Sequence, residues 1–156
     1  MSRTAQYVGV VGPGSDVTEE VLAEAAEVGR LLAIAGCIVV TGGLGGVMEA
    51  TSRGASVAGG VTVGILPGAV RDEGNEHLTI ALPTGMGEMR NALLVRTCDA
   101  IICVGGSWGT LSEVALAVRT GVPVVMVRGW DLPEGPLPAP DASAAVELAL
   151  TLLDQR

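Results

Sequence analysis

The chain predicts an α/β fold: a doubly wound parallel sheet, Rossmann-like, in a single domain. Three observations lead there. Short apolar runs rich in Val and Ile take turns with helical stretches along the whole sequence. Within those runs apolar and polar residues do not alternate, so the strands are covered on both faces. Glycine clusters follow the apolar runs and do not repeat at a fixed period, as expected of loops at the carboxyl ends of parallel strands.

The elements follow in order. Residues 7–12 form an apolar strand, and Pro13-Gly14-Ser15-Asp16 a turn. Thr18 with Glu19 and Glu20 opens a helix to about residue 35, with Val21, Leu22, Ala25, Val28, Leu31 and Leu32 near helical spacing. Gly36 stops it. Residues 37–40 are the second strand, and a glycine loop at 41–46 leads into a helix over 47–58. The third strand is 61–66, and 67–78 is irregular. A short strand at 78–82 precedes a helix at 88–97. Residues 100–104 are the fifth strand and 110–120 a helix. The sixth strand is 124–127. A Pro-rich loop at 132–140 leads to a closing helix at 142–154.

Length and composition bound the function. At 156 residues, one domain over 1–156 is the expectation. Hydrophobic residues make up 49% and aromatics 2%, with no Phe, so the core is built from Val, Ile, Leu and Ala. The formal net charge is −8 and the nine basic residues, all Arg, are scattered, so nucleic acid is not an expected partner. Without a Lys, Schiff-base chemistry on the protein is excluded. Cys37, Cys98 and Cys103 sit in or beside apolar runs with no metal-ligand spacing, and read as buried thiols of a reducing compartment. No metal is expected. The start, Met-Ser-Arg-Thr-Ala-Gln-Tyr, has no signal-peptide core, and apolar runs of about six residues fall far short of the ~20 that span a bilayer. The expectation is a cytoplasmic protein with no membrane partner.

The most informative stretch is 101–113. A strand runs into the small-residue loop Gly105, Gly106, Ser107, Trp108, Gly109, and a helix opens at Thr110 with Glu113 in its first turn. Bare N–H groups at the positive end of a helix dipole make an anion site. The same residues also read as a capping box, Thr110 as N-cap and Glu113 three residues later. Thr41 to Gly46 is a second glycine loop, where Gly42, Gly43, Gly45 and Gly46 permit close approach of a ligand or of the neighbouring helix. Gly12, Gly14 and Ser15 follow the first strand as a direct ligand contact or a tight turn. That loop lacks both the dinucleotide Gly-x-Gly-x-x-Gly spacing and the Lys of a triphosphate loop. Arg90, after Met89, has a guanidinium suited to a phosphate or a base edge; it also reads as a surface residue paired with Glu88. His77 stands alone in a polar loop and reads as solvated. Trp108 either stacks on a base or packs under its loop. The loops at 12–16, 41–46, 67–76, 83–90 and 105–109 are expected to line one crevice.

Three stretches together resemble the LONELY GUY family of phosphoribohydrolases, long labelled possible lysine decarboxylases. Its Pro-Gly-Gly-x-Gly-Thr-x-x-Glu signature is matched at Gly106, Gly109, Thr110 and Glu113; its Met-Arg-Lys helix start is similar to Met89-Arg90-Asn91; and its glycine loop resembles residues 42–48. The likeness spans roughly 7–127. Gly105, Ser107 and Asn91 depart from the pattern and bring the chain nearer a sister branch that includes molybdenum-cofactor carrier proteins. The resemblance implies a phosphorylated, nucleoside-monophosphate-like ligand, no resident cofactor, and a homodimer or homotetramer. On the enzyme side it implies hydrolysis of a nucleoside 5′-monophosphate to free base and ribose 5-phosphate, with Glu113 and Arg90 as catalytic residues. On the carrier side it implies binding of a phosphorylated purine or pterin without turnover.

Overall fold

The computed structural model describes residues 4–156. Met1 to Arg3, the start of the stretch read above for a leader, lie outside the described residues. The strands are β1 (Tyr7–Val11), β2 (Ile38–Thr41), β3 (Thr62–Leu66), β4 (Ile80–Pro83), β5 (Ala100–Val104), β6 (Val124–Val127) and β7 (Leu137–Pro138). They form one sheet in the order β4-β3-β2-β1-β5-β6-β7, with every neighbouring pair parallel. The helices are α1 (Glu19–Ile34), α2 (Val47–Val57), α3 (Arg90–Thr97), α4 (Trp108–Thr120) and α5 (Ala142–Asp154). No helix among the described residues is long and apolar enough to cross a membrane.

The chain walks outward from β1 to β4, then returns to lay β5 on the other side of β1. The strand order therefore reverses between β1 and β5, where such sheets open a crevice at their carboxyl edge. Strand alternation sorts the core into two layers. Val8, Val10, Ile102 and Val104 face α1, α2 and α5. Ile101, Cys103, Val63 and Ile65 face α3 and α4. Burying both faces requires the unbroken apolar runs seen in the sequence. The three cysteines are free and buried, as expected. Burial pushes the Cys103 thiol up to about 12 and raises those of Cys98 and Cys37, so none is a thiolate near neutral pH.

Glycine brings α1 and α2 together. A methyl on Gly29 would run into the Thr51 carbonyl, and one on Gly54 into the Ala26 carbonyl, so the two helix backbones touch where they cross. Thr18 caps α1 by accepting from the Val21 N–H at 3.4 Å, as the sequence predicts.

Four readings are corrected. A seventh strand, β7, lies inside the expected Pro-rich loop; it survives as a two-residue edge because the donor to β6 is not Pro138 but the Ala139 N–H, which reaches the Met126 carbonyl at 2.9 Å. The fourth strand begins two residues later, at Ile80, because Thr79 and Thr62 exchange hydrogen bonds that set the register. A tight turn at Gly87–Met89 precedes α3, which opens at Arg90 and not at Glu88. The α4 helix starts at Trp108, two residues earlier than expected.

Candidate functional site

The crevice opens at the β1/β5 reversal, with a volume of about 210 Å³. Gly12 and Gly14 supply one wall, Gly42 and Met48 a second, Ser107, Gly109 and Thr110 a third; Arg90 and Glu113 lie at its floor. Four of the five loops expected there contribute. The 67–76 loop does not, because it folds back over the 41–46 loop: Asn75 donates from its backbone to the Gly43 carbonyl at 2.9 Å and from its side chain to Leu44 at 3.0 Å.

At the mouth of α4 the cap is Ser107, not Thr110. Its hydroxyl accepts from the Thr110 N–H at 3.2 Å and lies 2.8 Å from the Thr110 hydroxyl. The earlier start has a physical cause. Ser107 is extended and its carbonyl accepts from the Leu111 N–H, so the turn closes one step before Thr110. The N–H groups of Trp108 and Gly109 are then the ones at the helix end with no intrahelical partner, and Gly109 lines the crevice. The anion site expected from the loop composition falls at these N–H groups. The same shift carries Glu113 out of the first turn into the second, so it is not the far half of a capping box.

Glu113 is 8% exposed and Arg90 is 8% exposed, with Arg90 Nη1 3.8 Å from Glu113 Oε1. The surface pairing of Arg90 with Glu88 is therefore replaced by a buried pair. Arg90 also donates from Nε to the Ile65 carbonyl at 2.9 Å and from Nη2 to the Gly42 carbonyl at 3.5 Å, and its Nη1 donates to Asn91 Oδ1. Asn91 Nδ2 donates to Ser112 Oγ at 3.1 Å, and Ser112 donates to the Gly109 carbonyl at 2.6 Å. One chain of polar contacts thus joins the α3 start to the α4 mouth. Burial lifts the Glu113 carboxyl from its ordinary 4.5 to about 7, with Arg90 pulling the other way. Burial lowers the Arg90 guanidinium, and Glu113 partly restores it.

The remaining residues singled out by sequence lie beside the crevice and do not line it. Ser15 is exposed on its turn, and Met89 is 70% exposed on the outer side of α3. Gly43 packs on Leu66 and Gly64, and Gly45 and Gly46 pack on the Pro13-Gly14 backbone. The open question about the 41–46 loop is thereby settled by contact: most of its glycines admit neighbouring backbone. Gly105 abuts Pro13 and Val21, Gly106 abuts Trp130, and Trp108 projects outward at 82% exposure to meet Trp130 at 5.6 Å between ring centroids. Sequence reasoning passed over Val10, Val11, Met48, Glu88 and Asn91 as lining residues. Asn91 had a signal, since it stands where the resembling family has Lys; the others had none beyond adjacency to a motif.

Residues 5–148 match the SLOG cluster4 family. The chain belongs to that family. An uncharacterized protein from Archaeoglobus fulgidus is 42% identical over 135 residues, covering 83% of this chain and 88% of that one. Among solved structures, the molybdenum cofactor binding protein from Rippkaea orientalis is 35% identical with a TM-score of 0.92, covering 97% of this chain and 99% of that chain. The molybdenum cofactor carrier protein from Chlamydomonas reinhardtii is 32% identical with a TM-score of 0.86, covering 98% and 100%. The family's Rossmann-like fold, expected from sequence, is the one found here.

A separate donor group lies behind the 41–46 loop. Glu49 on α2 and Glu76 and His77 on the 67–78 segment bring two carboxylate oxygens and a ring nitrogen within 4.8 Å of one another. His77 is partly buried, with Nε2 3.7 Å from Glu76, so the reading of a solvated histidine is corrected. These residues, and not the crevice, are the set among the described residues with a metal-ligand character.

Proposed function

We propose that this member of the SLOG cluster4 family is a carrier that binds a phosphorylated pterin of the molybdenum-cofactor class and releases it unchanged. The observation that carries this reading is the engagement of Arg90. Its guanidinium is turned inward to Ile65, Gly42, Asn91 and Glu113, so it holds the floor of the crevice in place and is not extended toward a leaving base. Asn91, which stands where the phosphoribohydrolases have Lys, locks that orientation through Ser112. The near-complete overlap with two molybdenum-cofactor proteins supports the same reading.

The ligand's phosphate rests on the N–H groups of Trp108 and Gly109 at the positive end of α4, with the Ser107 and Thr110 hydroxyls beside it. Backbone donors serve here because the chain is acidic overall and offers no basic cluster. Gly12, Gly14 and Gly42 keep the walls low.

The phosphoribohydrolase reading has one observation in its favour. A carboxyl held near 7 is matched to proton transfer at neutral pH. Incubation with AMP, GMP and a pterin monophosphate, followed by chromatography for free base, separates the two. The carrier reading expects saturable binding with every ligand recovered intact. Base release that disappears in Glu113→Ala overturns it. Light scattering on the same sample tests the homodimer or homotetramer that the family resemblance implies.

A further inference from the structure

A second cavity lies on the other side of the 105–109 loop, also of about 210 Å³, lined by Arg128, Trp130, Asp131, Leu132, Pro136 and Pro138 among others. Its floor is Met126 at the end of β6. Ser107 and Gly109 face the crevice, whereas Gly106 lies against the Trp130 ring, 3.3 Å from where a methyl would stand.

Four features of this cavity have no structural explanation. Of the three aromatic residues only Tyr7 packs against the core, whereas both tryptophans stand here in mutual contact, at 82% and 37% exposure. Large aromatics normally bury their area. Arg128 adopts a left-handed backbone at φ 53°, one of two non-glycine residues to do so among those described. That conformation turns the chain from β6 over the cavity. Its guanidinium is tethered loosely to α1, 3.5 Å from Glu20 and 3.9 Å from Glu24, leaving other N–H donors unused. Asp131, exposed on the cavity wall, has no hydrogen-bond or ion-pair partner among the described residues, so its carboxylate is free to accept from a ligand.

We infer that this cavity is a ring subsite for a 2-amino-4-oxo pyrimidine, the edge shared by pterins and guanine, with Trp130 as its stacking surface and Trp108 braced against that ring. The chemistry matches group by group. The exocyclic 2-amino group and the adjacent ring N–H are two parallel donors, which a carboxylate accepts together; Asp131 supplies one. The neighbouring ring carbonyl is an acceptor, and Arg128 supplies donors. Adenine presents a bare ring nitrogen where this edge has N–H, and so sets a lone pair against the carboxylate. The volume equals the liquid share of about seven water molecules, enough for a bicyclic ring. This inference rests on the carrier reading: the phosphate lies at the α4 mouth, and the ring crosses the loop.

Trp130 lines this cavity and Trp108 meets its ring, so intrinsic tryptophan fluorescence responds to a ring stacked there. The probes are GMP, XMP, AMP and a pterin monophosphate, each titrated by fluorescence and in parallel by calorimetry. GMP and the pterin are expected to quench the emission and to bind at least about 10-fold tighter than AMP. Asp131→Asn, at an exposed position, replaces one acceptor with a donor. It is expected to weaken GMP by about 10-fold or more and to favour XMP, whose 2-oxo group accepts from the new amide. Trp108→Leu is expected to cost roughly 10-fold for GMP and the pterin. If the phosphates bind calorimetrically but AMP equals GMP and Asp131→Asn shifts neither, the subsite is overturned while the carrier reading stands. If no monophosphate binds at all, both fail together.

Discussion

In the 41–46 loop a methyl on Gly43 would collide with Leu66, and one on Gly46 with the Pro13 carbonyl. In the 105–109 loop a methyl on Gly109 would meet nothing nearer than 3.9 Å. Both loops leave strands that flank β1, at the same edge of the sheet, and lead into helices, α2 and α4. At α2 the helix end is already satisfied: the Val47 N–H donates to Pro13 at 3.0 Å, and Glu49 places a negative charge in the first turn. At α4 the first turn holds no acid, and Ser107 takes only the third N–H. Glycine therefore serves close packing in one loop and leaves an open helix mouth in the other. Composition does not distinguish these uses; the neighbours do.

That contrast is open to direct tests. The largest effect is expected from Gly46→Ala, where φ is 60° and ψ is −129° and the methyl has no room. It should lose about 3 kcal/mol or more, or fail to fold, measured by urea unfolding. A loss under about 1 kcal/mol would mean that the loop yields, and its packing role would be wrong.

The floor between the loops comes next. Glu113 has a folded value of about 7 against an ordinary 4.5. Between those values the native state holds a proton that the unfolded chain has released. Stability should therefore fall as pH rises from about 4.5 to about 7, by on the order of 3 kcal/mol, and level off above. In Glu113→Gln this slope should vanish. An unchanged slope in that variant would assign it to other groups.

Smaller effects sharpen the account of the α4 mouth. Ser107→Ala removes the cap and should cost about 1 kcal/mol in thermal unfolding. The same substitution should weaken phosphate binding, read by calorimetry with a pterin monophosphate. Gly109→Ala should leave stability within about 1 kcal/mol of the parent, since the methyl meets open space and Ala favours the helix. Its effect should fall on ligand affinity instead. If Gly109→Ala destabilised as strongly as Gly46→Ala, the two loops would be alike after all.

Parts of this molecule were legible from sequence because they depend on local chemistry. The β5, β6 and α5 boundaries follow from apolar runs ended by Gly, Pro and an N-cap Asp; Asp141 caps α5 through the Ala144 N–H. Thr18 announced α1 for the same reason. The α4 mouth misled by two residues because Ser107 and Thr110 are both competent caps, and only the return of the Leu111 N–H to the Ser107 carbonyl chooses between them. The β7 strand was unreadable because two residues with a Pro carry no periodic signal; they pair only because β6 lies alongside.

Which residues share a site was less local still. Arg90 and Glu113 were both named from sequence, Arg90 as a ligand for phosphate or a base edge or as a surface partner of Glu88, and Glu113 as a catalytic acid or half of a capping box. Their meeting at 3.8 Å comes from packing α3 against α4. The Trp108–Trp130 pair joins residues 22 positions apart, and Asp131 drew no notice as a lone acid in a loop. The sequence by itself determined the doubly wound sheet and the reversal crevice, because apolar runs, glycine placement and helix caps act within a few residues. The tertiary structure alone decided which glycines pack and which stay open, how Arg90 turns, and what stands across the loop. Those outcomes rest on contacts between segments far apart in the chain, where burial and shape, not residue type, select the partner.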